Sequence, residues 1–193
     1  AGTTSLVLGT SSGIHSWHNN YYIRRLRVGK NESIYEYLQK NHSELIEDEY
    51  FRPNDTAVIQ VPQKAPKGAI MRTESPFQLL DRVKKVATDW VRGGHRKGSN
   101  THNVSATISL KEKDWEYTGE WMWENREYYN GLAVLPYNGG TYTQSPFEDI
   151  NKDRYIEMMK SLTEVDLSEV IEIEDNTNLS GELACAGGGC EIA

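Results

Sequence analysis

Two cysteines near the end of the chain are the residues whose type and spacing most directly suggest chemistry. Cys185 and Cys190 lie in the sequence ELACAGGGCEIA, with one alanine and three glycines between them. Glycine permits the tight turn that brings two Cβ atoms within about 4 Å, as a disulfide requires. Because closing so short a loop removes little entropy from the unfolded chain, the disulfide would stabilise a fold poorly. The pair therefore suits a reversible dithiol–disulfide couple, of the kind that operates in a reducing cytoplasm.

Two other interpretations of the cysteine pair stay open on spacing alone. Two thiolates supply half of the four ligands of a structural zinc site, but no nearby histidine or second cysteine pair supplies the other half. In the second alternative, the two cysteines are incidental residues of a polar tail. We expect the redox couple, and no metal bound by this chain.

The segment that carries the cysteines differs in charge from the rest of the chain. Residues 164–193 contain eight acids and no lysine or arginine, which leaves 20 acids against 21 bases in residues 1–163. After Leu167 the apolar pattern gives way to acids, Asn, Ser and Gly, a composition typical of a flexible tail. The 22 positions from Thr163 to Cys185 would span roughly 25 Å as a flexible coil. We therefore predict a body, residues 1–163, and a mobile acidic tail, residues 164–193.

The opening residues form a second candidate site. Ala1 is followed by Gly2, Thr3, Thr4 and Ser5, small residues that leave backbone N–H groups accessible and add hydroxyl groups. If they lead into a helix, the free amides and the positive end of the helix dipole can bind an anion. The alternative is a Ser/Thr-rich loop with an ordinary helix cap. The segment lacks the glycine spacing and the lysine of a Walker loop.

The elements that must position these residues alternate between strands and helices. Apolar, β-branched runs predict strands at Thr56–Val61, where Pro62 would end the strand, and at His102–Leu110 and Gly131–Leu135. Helices are predicted over Lys113–Tyr129, over Asp153–Thr163, and after Ser75 as a cap with Pro76 at the first position. In the helix that follows Ser75, one apolar stripe contains Leu79, Val83, Val86 and Trp90, and Gly93-Gly94 would end this helix. Strands separated by helices predict β–α–β units and a parallel sheet, hence an α/β fold.

Bulk properties exclude some classes of function. No apolar run approaches the roughly 18 residues of a membrane helix, and the opening lacks the pattern of a signal peptide. The formal net charge of −7 argues against a general nucleic-acid binder. These features predict a cytoplasmic protein with neither membrane nor nucleic acid as a partner.

Together the two ends of the chain resemble one family, the ribonucleotide reductases. AGTTSLVLGTSSGIH is similar to the family's Pro-Thr-Gly/Glu-Ser/Thr loop with the helix and Ser-Ser/Asn-Gly-Ile that follow it, and CAGGGCEIA is similar to the family's C-terminal Cys-x4-Cys tail. HNVSATISL and EWMWENREYYNGLAVLPYNGGTYTQSPFEDI resemble the last part of the catalytic barrel in adenosylcobalamin-dependent (class II) members. The resemblance covers essentially the whole chain. The family's proline before the loop has no counterpart, because the sequence begins at Ala1.

The resemblance implies a fold, a reaction and a cofactor. The fold would be the C-terminal portion of a ten-stranded α/β barrel, with a flexible tail. The reaction would be the radical reduction of ribonucleotides to deoxyribonucleotides. Adenosylcobalamin would be bound mainly by the rest of the catalytic subunit.

The resemblance also implies roles for the two ends of the chain. The substrate's phosphates would be bound by the opening loop, Ala1, Gly2, Thr3, Thr4 and Ser5. Cys185 and Cys190 would reduce the active-site disulfide and be re-reduced by thioredoxin or glutaredoxin.

Two alternatives accompany this interpretation. Class I enzymes relay a radical through a Tyr-Tyr pair on a late barrel strand, and Tyr128-Tyr129 lies just before the predicted strand Gly131–Leu135. With a shifted alignment these tyrosines would be that pair, and otherwise they are packing residues. A different class of function is a non-catalytic binding module whose acidic tail docks on a partner.

The cysteine count predicts an incomplete active site. The family's chemistry needs a radical cysteine and two more cysteines in the barrel, whereas this chain has two cysteines in all, both in the tail. We therefore expect the chain alone to be inactive, and a second polypeptide, the N-terminal part of the same subunit, to complete the barrel. His15 and His18 could contact substrate but more simply cap or face solvent, and Arg92, His95, Arg96 and Lys97 more simply form a solvated loop.

Overall fold

The computed structural model describes Ser5, residues 8–137 and residues 142–174. Its strands and helices, in chain order, are β1 (Tyr21–Gly29), α1 (Ser33–Asn41), β2 (Ile46–Asp48), β3 (Thr56–Lys64), α2 (Pro76–Val86), β4 (Thr107–Leu110), α3 (Trp115–Glu124), β5 (Ala133–Pro136), β6 (Phe147–Asp149) and α4 (Lys152–Ser161). The chain divides into two units. Unit 1 contains residues 1–17 and 67–138, and unit 2 contains residues 18–66 and 139–193. The fold is therefore a mixture of α and β structure, as predicted.

Unit 1 contains a β–α–β arrangement. Strands β4 and β5 pair in parallel, with Thr107 opposite Ala133 and Leu110 opposite Pro136, and α3 lies between them in the chain. Because parallel strands need a long crossover connection, a helix between them is the usual solution. The prediction of a parallel pair joined by a helix is confirmed here. The strands and the helix are shorter than predicted, since β4 begins at Thr107 rather than His102 and α3 ends at Glu124 rather than Tyr129.

The core of unit 1 forms between α2, β4 and α3. Ile108 and Leu110 are completely or almost completely buried on β4, and Leu80 and Val83 are completely buried on α2. The remaining buried members of this cluster are Leu79, Ala87, Val104, Ala106 and Trp121. Burial of each large aliphatic side chain contributes about 1.5–3 kcal/mol relative to its exposure. The cluster therefore holds the crossover helix and the parallel strands together.

Helix α2 begins as the sequence predicts. Ser75 Oγ accepts a hydrogen bond from the Gln78 N–H at 3.3 Å, and Gln78 Oε1 accepts one from the Ser75 N–H at 2.9 Å. This reciprocal capping box, with Pro76 next to the cap, satisfies two of the backbone donors that a helix leaves free at its start.

The predicted apolar stripe of α2 is correct over two turns and wrong at Trp90. Leu79 and Val83 are buried, whereas the Trp90 side chain is 79% exposed. The reason is that α2 continues as a π-helical stretch, Ala87–Arg92. A π-helix has more residues per turn than an α-helix, so Trp90 no longer falls on the face that carries Leu79 and Val83.

Unit 2 is built on a four-stranded antiparallel sheet in the order β2-β3-β1-β6. The predicted strand from Thr56 forms β3, but it pairs antiparallel with both neighbours, so the parallel arrangement predicted for it is wrong. The strand also continues past Pro62, which pairs with Ile23, to Lys64. Proline is tolerated there because β2 pairs only with Ala57–Ile59 of β3, so β3 has a single neighbouring strand at Pro62.

Arg25 ties three strands of this sheet together. Its buried guanidinium lies 3.1 Å from Glu47 Oε1 on β2 and 2.5 Å from Glu148 Oε2 on β6. Arg25 Nη1 also donates to the Ser145 carbonyl oxygen at 3.3 Å. Strand β6 pairs with β1 over only three residues, and the Arg25–Glu148 ion pair adds a side-chain contact at this edge of the sheet.

The predicted helix at Asp153–Thr163 is α4, which spans Lys152–Ser161. Asn151 Oδ1 caps it by accepting a hydrogen bond from the Arg154 N–H at 2.8 Å. In the described part of the chain no helix is long and apolar enough to cross a membrane. The division into a body and a tail at residue 164 stays a prediction.

Candidate functional site

The described residues include one member of the predicted phosphate loop. Ala1, Gly2, Thr3 and Thr4 lie outside them, and Ser5 is a buried residue with helical backbone. The Ser5 carbonyl oxygen accepts a hydrogen bond from the Thr10 N–H at 2.9 Å. Nine positions further along the chain, Ile14 packs against the core of unit 1. The segment that follows the loop is thus attached to the core that contains β4 and α3.

Two glycines shape the backbone between Ser5 and Ile14. Gly9 and Gly13 have φ values of +61° and +57°, a backbone conformation that costs other residues about 1–2 kcal/mol. The His15 N–H then donates to the Ser12 carbonyl oxygen at 3.1 Å. Burial lowers the pKa of the half-buried His15 side chain, because a charged imidazolium is poorly solvated there.

His18 precedes β1 and packs against the sheet of unit 2. Its Nε2 lies 3.0 Å from Asp149 Oδ1, and its ring stacks on Phe147 with centroids 5.1 Å apart. Both partners are residues of β6. The described contacts of His18 are therefore those of a packed structural histidine.

Cys185 and Cys190 lie outside the described residues, which reach Glu174. The described start of the predicted tail contains one 3-10 turn, Leu167–Glu169, capped by Asp166. No helix follows that turn up to Glu174. The redox role of the two cysteines stays a prediction.

The basic residues after α2 make local contacts. The Arg92 guanidinium donates to the Glu127 carbonyl oxygen and lies over the Tyr128 ring, 4.4 Å from its centroid. His95 Nε2 lies 2.8 Å from the Gly98 carbonyl oxygen. Arg92 therefore joins the π-helical stretch to the turn after α3, which favours a packing role over phosphate binding for this residue.

The two neighbouring tyrosines have packing contacts and are not residues of β5. The Tyr129 hydroxyl donates to the Met122 carbonyl oxygen at 2.8 Å, and burial raises its pKa. Tyr128 lies between Arg92 and Lys84, whose Nζ is 4.8 Å from the ring centroid. The strand itself, Ala133–Pro136, contains no tyrosine. These contacts favour the packing interpretation over a radical-relay pair.

An asparagine that the sequence did not single out connects the starts of the two parallel strands. Asn103 Oδ1 accepts hydrogen bonds from the N–H groups of Asn130 and Gly131, at 3.1 and 3.3 Å. Its Nδ2 donates to the Gly131 carbonyl oxygen at 3.0 Å. Asn130 Nδ2 in turn donates to the Thr101 carbonyl oxygen at 2.9 Å. The only sequence signal was the Asn-Gly pair, which predicts a turn but no distant partner.

Asn125 has a structural role at the end of α3. Its Nδ2 donates to the Trp121 carbonyl oxygen at 2.9 Å, and its backbone N–H donates to the same oxygen at 2.9 Å. The buried side chain therefore adds a second donor to a carbonyl that already accepts a helical hydrogen bond, and it packs at the end of α3.

Neither a cluster of metal ligands among the described residues nor either of two cavities in unit 2 fits the expected cofactor chemistry. Among those residues, no group of three or more His, Cys, Asp or Glu side chains could hold a metal ion. Two open cavities, of about 350 and 250 Å³, lie in unit 2. Even drug-sized ligands occupy clefts of about 300–1,000 Å³, so neither cavity fits adenosylcobalamin.

The sequence motifs at the two chain ends and in the block around α3 and β5 resemble one class of protein, the ribonucleotide reductases, and comparison with known proteins confirms this resemblance. No protein-family model matches the chain. The adenosylcobalamin-dependent ribonucleoside-triphosphate reductase of Euglena gracilis is 28% identical to it over 98% of this chain and 25% of that protein. The enzymes of the same name from Lactobacillus helveticus and Lactobacillus leichmannii are each 24% identical to it over the whole of this chain. The aligned region is 25% of the first enzyme and 26% of the second.

A solved structure shows the same fold. The crystal structure of a B12-dependent (class II) ribonucleotide reductase superposes on this chain with a TM-score of 0.68 and 23% sequence identity. The superposition covers 88% of this chain and 23% of the reductase chain. The chain thus spans about a quarter of the length of the curated relatives that it matches.

Proposed function

We propose that the chain is the C-terminal part of a class II ribonucleotide reductase, which reduces ribonucleoside triphosphates to deoxyribonucleotides by adenosylcobalamin-dependent radical chemistry. The observation that carries the proposal is the extent of the similarity, which covers the chain from end to end. A binding module that shared only one motif with these enzymes would match over that motif alone. The substrate and the cofactor are those that the names of the relatives give.

The other three quarters of the enzyme complete the barrel in this proposal. In the part of the chain that the structure describes, β4 and β5 pair only with each other. Parallel sheets occur almost only where further strands and helices cover them, so this pair has room for neighbours. The remaining strands, the radical cysteine and the cobalamin-binding surface come from the rest of the enzyme, in the same polypeptide or in a second one.

The opening loop binds the substrate's phosphates in this proposal. Backbone N–H groups and the hydroxyls of Thr3, Thr4 and Ser5 donate hydrogen bonds to phosphate oxygens, with Ala1 and Gly2 leaving room for close approach. The helical backbone at Ser5 supports a helix start at this point.

The tail transfers two electrons to the active site. Each turnover oxidises two active-site thiols to a disulfide. The thiolate of one tail cysteine, Cys185 or Cys190, attacks that disulfide and forms a mixed disulfide, and the other tail cysteine then attacks the tail sulfur of the mixed disulfide. The active site regains two thiols and the tail becomes a disulfide. A thioredoxin or glutaredoxin reduces the tail again by the same exchange.

The test is a double substitution, Cys185→Ser with Cys190→Ser, in the enzyme assembled with the remaining three quarters. We expect thioredoxin-supported turnover to fall to about one product per active site, whereas a small dithiol such as dithiothreitol, which reaches the active site directly, still supports turnover. Ala186→Ser lies in the same loop, keeps both thiols and is the matched control. Undiminished thioredoxin-supported turnover in the double variant would contradict the redox role.

A further inference from the structure

Residues 167–173, which we name the exposed segment, carry three large aliphatic side chains that this chain leaves largely uncovered. Leu167, Ile171 and Ile173 are 59%, 76% and 89% exposed. Single exposed apolar residues are ordinary on protein surfaces. Three within seven positions are a concentration of apolar surface, and such surfaces commonly mark sites of interaction. Flexible linkers are also poor in β-branched residues, so a spacer function does not account for the two isoleucines.

The exposed segment begins with an ordered turn. Asp166 Oδ1 accepts hydrogen bonds from the Ser168 N–H at 3.0 Å and from the Ser168 hydroxyl at 2.6 Å. The Val170 N–H donates to the Leu167 carbonyl oxygen at 3.2 Å, and Val170 has extended backbone. A turn that is formed before binding lowers the entropy lost when a partner binds.

Acidic side chains alternate with the apolar ones. Glu169, Glu172 and Glu174 lie among or next to the isoleucines, and no lysine or arginine follows residue 160 in the sequence. A complementary surface therefore combines an apolar groove with lysine or arginine at its rim. Charge complementarity of this kind mainly raises the rate of association and the selectivity for the partner.

The position of the segment favours one occupant, a protein that acts on the cysteine pair. Twelve positions separate Ile173 from Cys185, a distance of about 19 Å for a flexible coil. A protein bound to the exposed segment would therefore keep the cysteine pair at a high effective concentration near its own surface. Binding to the body of the enzyme instead would shorten the free tether to the cysteines and reduce their reach.

We propose that the exposed segment is a docking site for the dithiol oxidoreductase that reduces the tail. Ile171 and Ile173 insert into an apolar groove beside the partner's redox centre, and Glu172 and Glu174 face basic residues at its rim. A thiolate of the bound partner attacks the Cys185–Cys190 disulfide to give a mixed disulfide, and the partner's second thiol resolves it. The partner leaves as a disulfide, and two electrons and two protons remain as the tail thiols. This inference rests on the redox role given under the proposed function.

The test uses the full chain with its tail oxidised. Its reduction by thioredoxin, in the presence of thioredoxin reductase and NADPH, is followed over a range of chain concentrations. We expect the double variant Ile171→Asn, Ile173→Asn to raise the KM for the oxidised chain about tenfold with kcat little changed, because docking and not thiol chemistry is impaired. The rate of reduction by dithiothreitol should stay as in the wild type. Ile70→Asn replaces another exposed isoleucine, lies outside the segment and is the matched control.

The charge of the segment gives a second measurement. Glu172→Lys with Glu174→Lys should lower kcat/KM with thioredoxin severalfold at low salt and by less at high salt, because screening removes the contribution of the charges. An unchanged KM in the isoleucine variant, or an equal loss in the dithiothreitol reaction, would overturn the docking proposal and leave the redox role intact. A wild-type tail that thioredoxin does not reduce at all would overturn the redox role, and the docking proposal with it.

Discussion

Replacing Arg25 with methionine tests whether one buried side chain holds the edge of the sheet in unit 2. The substitution keeps the apolar stem and removes contacts to Glu47, Glu148 and the Ser145 carbonyl oxygen, at 3.1, 2.5 and 3.3 Å. The two carboxylate side chains are 30% and 48% exposed, so water solvates them after the change and each ion pair counts for only about 0.5–1 kcal/mol. The lost carbonyl contact adds about 1 kcal/mol. We expect the free energy of unfolding to fall by about 2 kcal/mol.

The measurement is urea-induced unfolding followed by circular dichroism. A lower midpoint with an unchanged slope would show a change in stability rather than in the compactness of the unfolded state. Arg154→Met is the matched control, since Arg154 and Glu157 form a pair at 2.7 Å whose side chains are 53% and 70% exposed, and its loss should cost less than about 0.5 kcal/mol. If Arg25→Met and Arg154→Met shift the midpoint equally, the reasoning about the Arg25 cluster is refuted.

Four further substitutions test three other features by measured unfolding. Ser75→Ala should lower the free energy of unfolding by about 1 kcal/mol in urea titrations, since it removes the capping box of α2, and no change would show that the cap contributes nothing. Trp121→Ala should cost about 3–5 kcal/mol, whereas Trp90→Ser should change stability by less than about 0.5 kcal/mol; similar losses would contradict the π-helical phase. Burial lowers the pKa of His15 below its ordinary value of 6.5 in the folded chain. The imidazole therefore takes up a proton more readily in the unfolded chain, so the free energy of unfolding should fall as the pH falls through the range around and below 6.5. In a series of thermal melts His15→Asn should reduce that dependence, and an identical pH profile in this variant would rule out the assignment.

Local signals predicted unit 1 well. The start of α2 depends on residues within three positions of one another, Ser75, Pro76 and Gln78, and so it can be predicted from the sequence. Strands β4 and β5 are short apolar runs, and Ile108 and Leu110 of β4 are buried; such runs are the main sequence signal for a strand. The π-helical stretch could not be predicted, because the apolar spacing from Leu79 to Trp90 is also that of a continuous α-helix. Only the exposed position of Trp90 in the structure distinguishes the two.

Unit 2 was predicted poorly for a physical reason. Strand β1, YYIRRLRVG, contains three arginines, and a pattern of apolar residues cannot show that Arg25 is buried. That burial depends on Glu47 and Glu148, which are 22 and 123 residues away in the sequence. Without β1 as a recognised strand, the antiparallel pairing of β3 could not be predicted either.

The candidate site depended on motifs rather than on patterns of burial. Of the seven predicted site residues, Ser5 is the one that the structure describes, and the others lie outside the described residues. The resemblance to ribonucleotide reductases, which the comparisons also find, combined two chain ends with the block around α3 and β5. Packing contacts of Tyr128, Arg92 and His18 connect parts of the fold that are distant in sequence, so their roles became visible only in the structure.

The discontinuity of unit 2 has a consequence for the synthesis of the chain. Strand β1 can pair with β3 once both have left the ribosome, but its other edge pairs with β6, and Glu148, the partner of Arg25 on that strand, is synthesised 123 residues later. At about 5–20 residues per second, that interval lasts roughly 6–25 s. Unit 1, with its parallel strands only 26 positions apart from Thr107 to Ala133, has time to fold within it. For that interval the nascent chain carries an open strand edge and a partly buried arginine, so this is the period in which it is most exposed to mispairing and to chaperone binding.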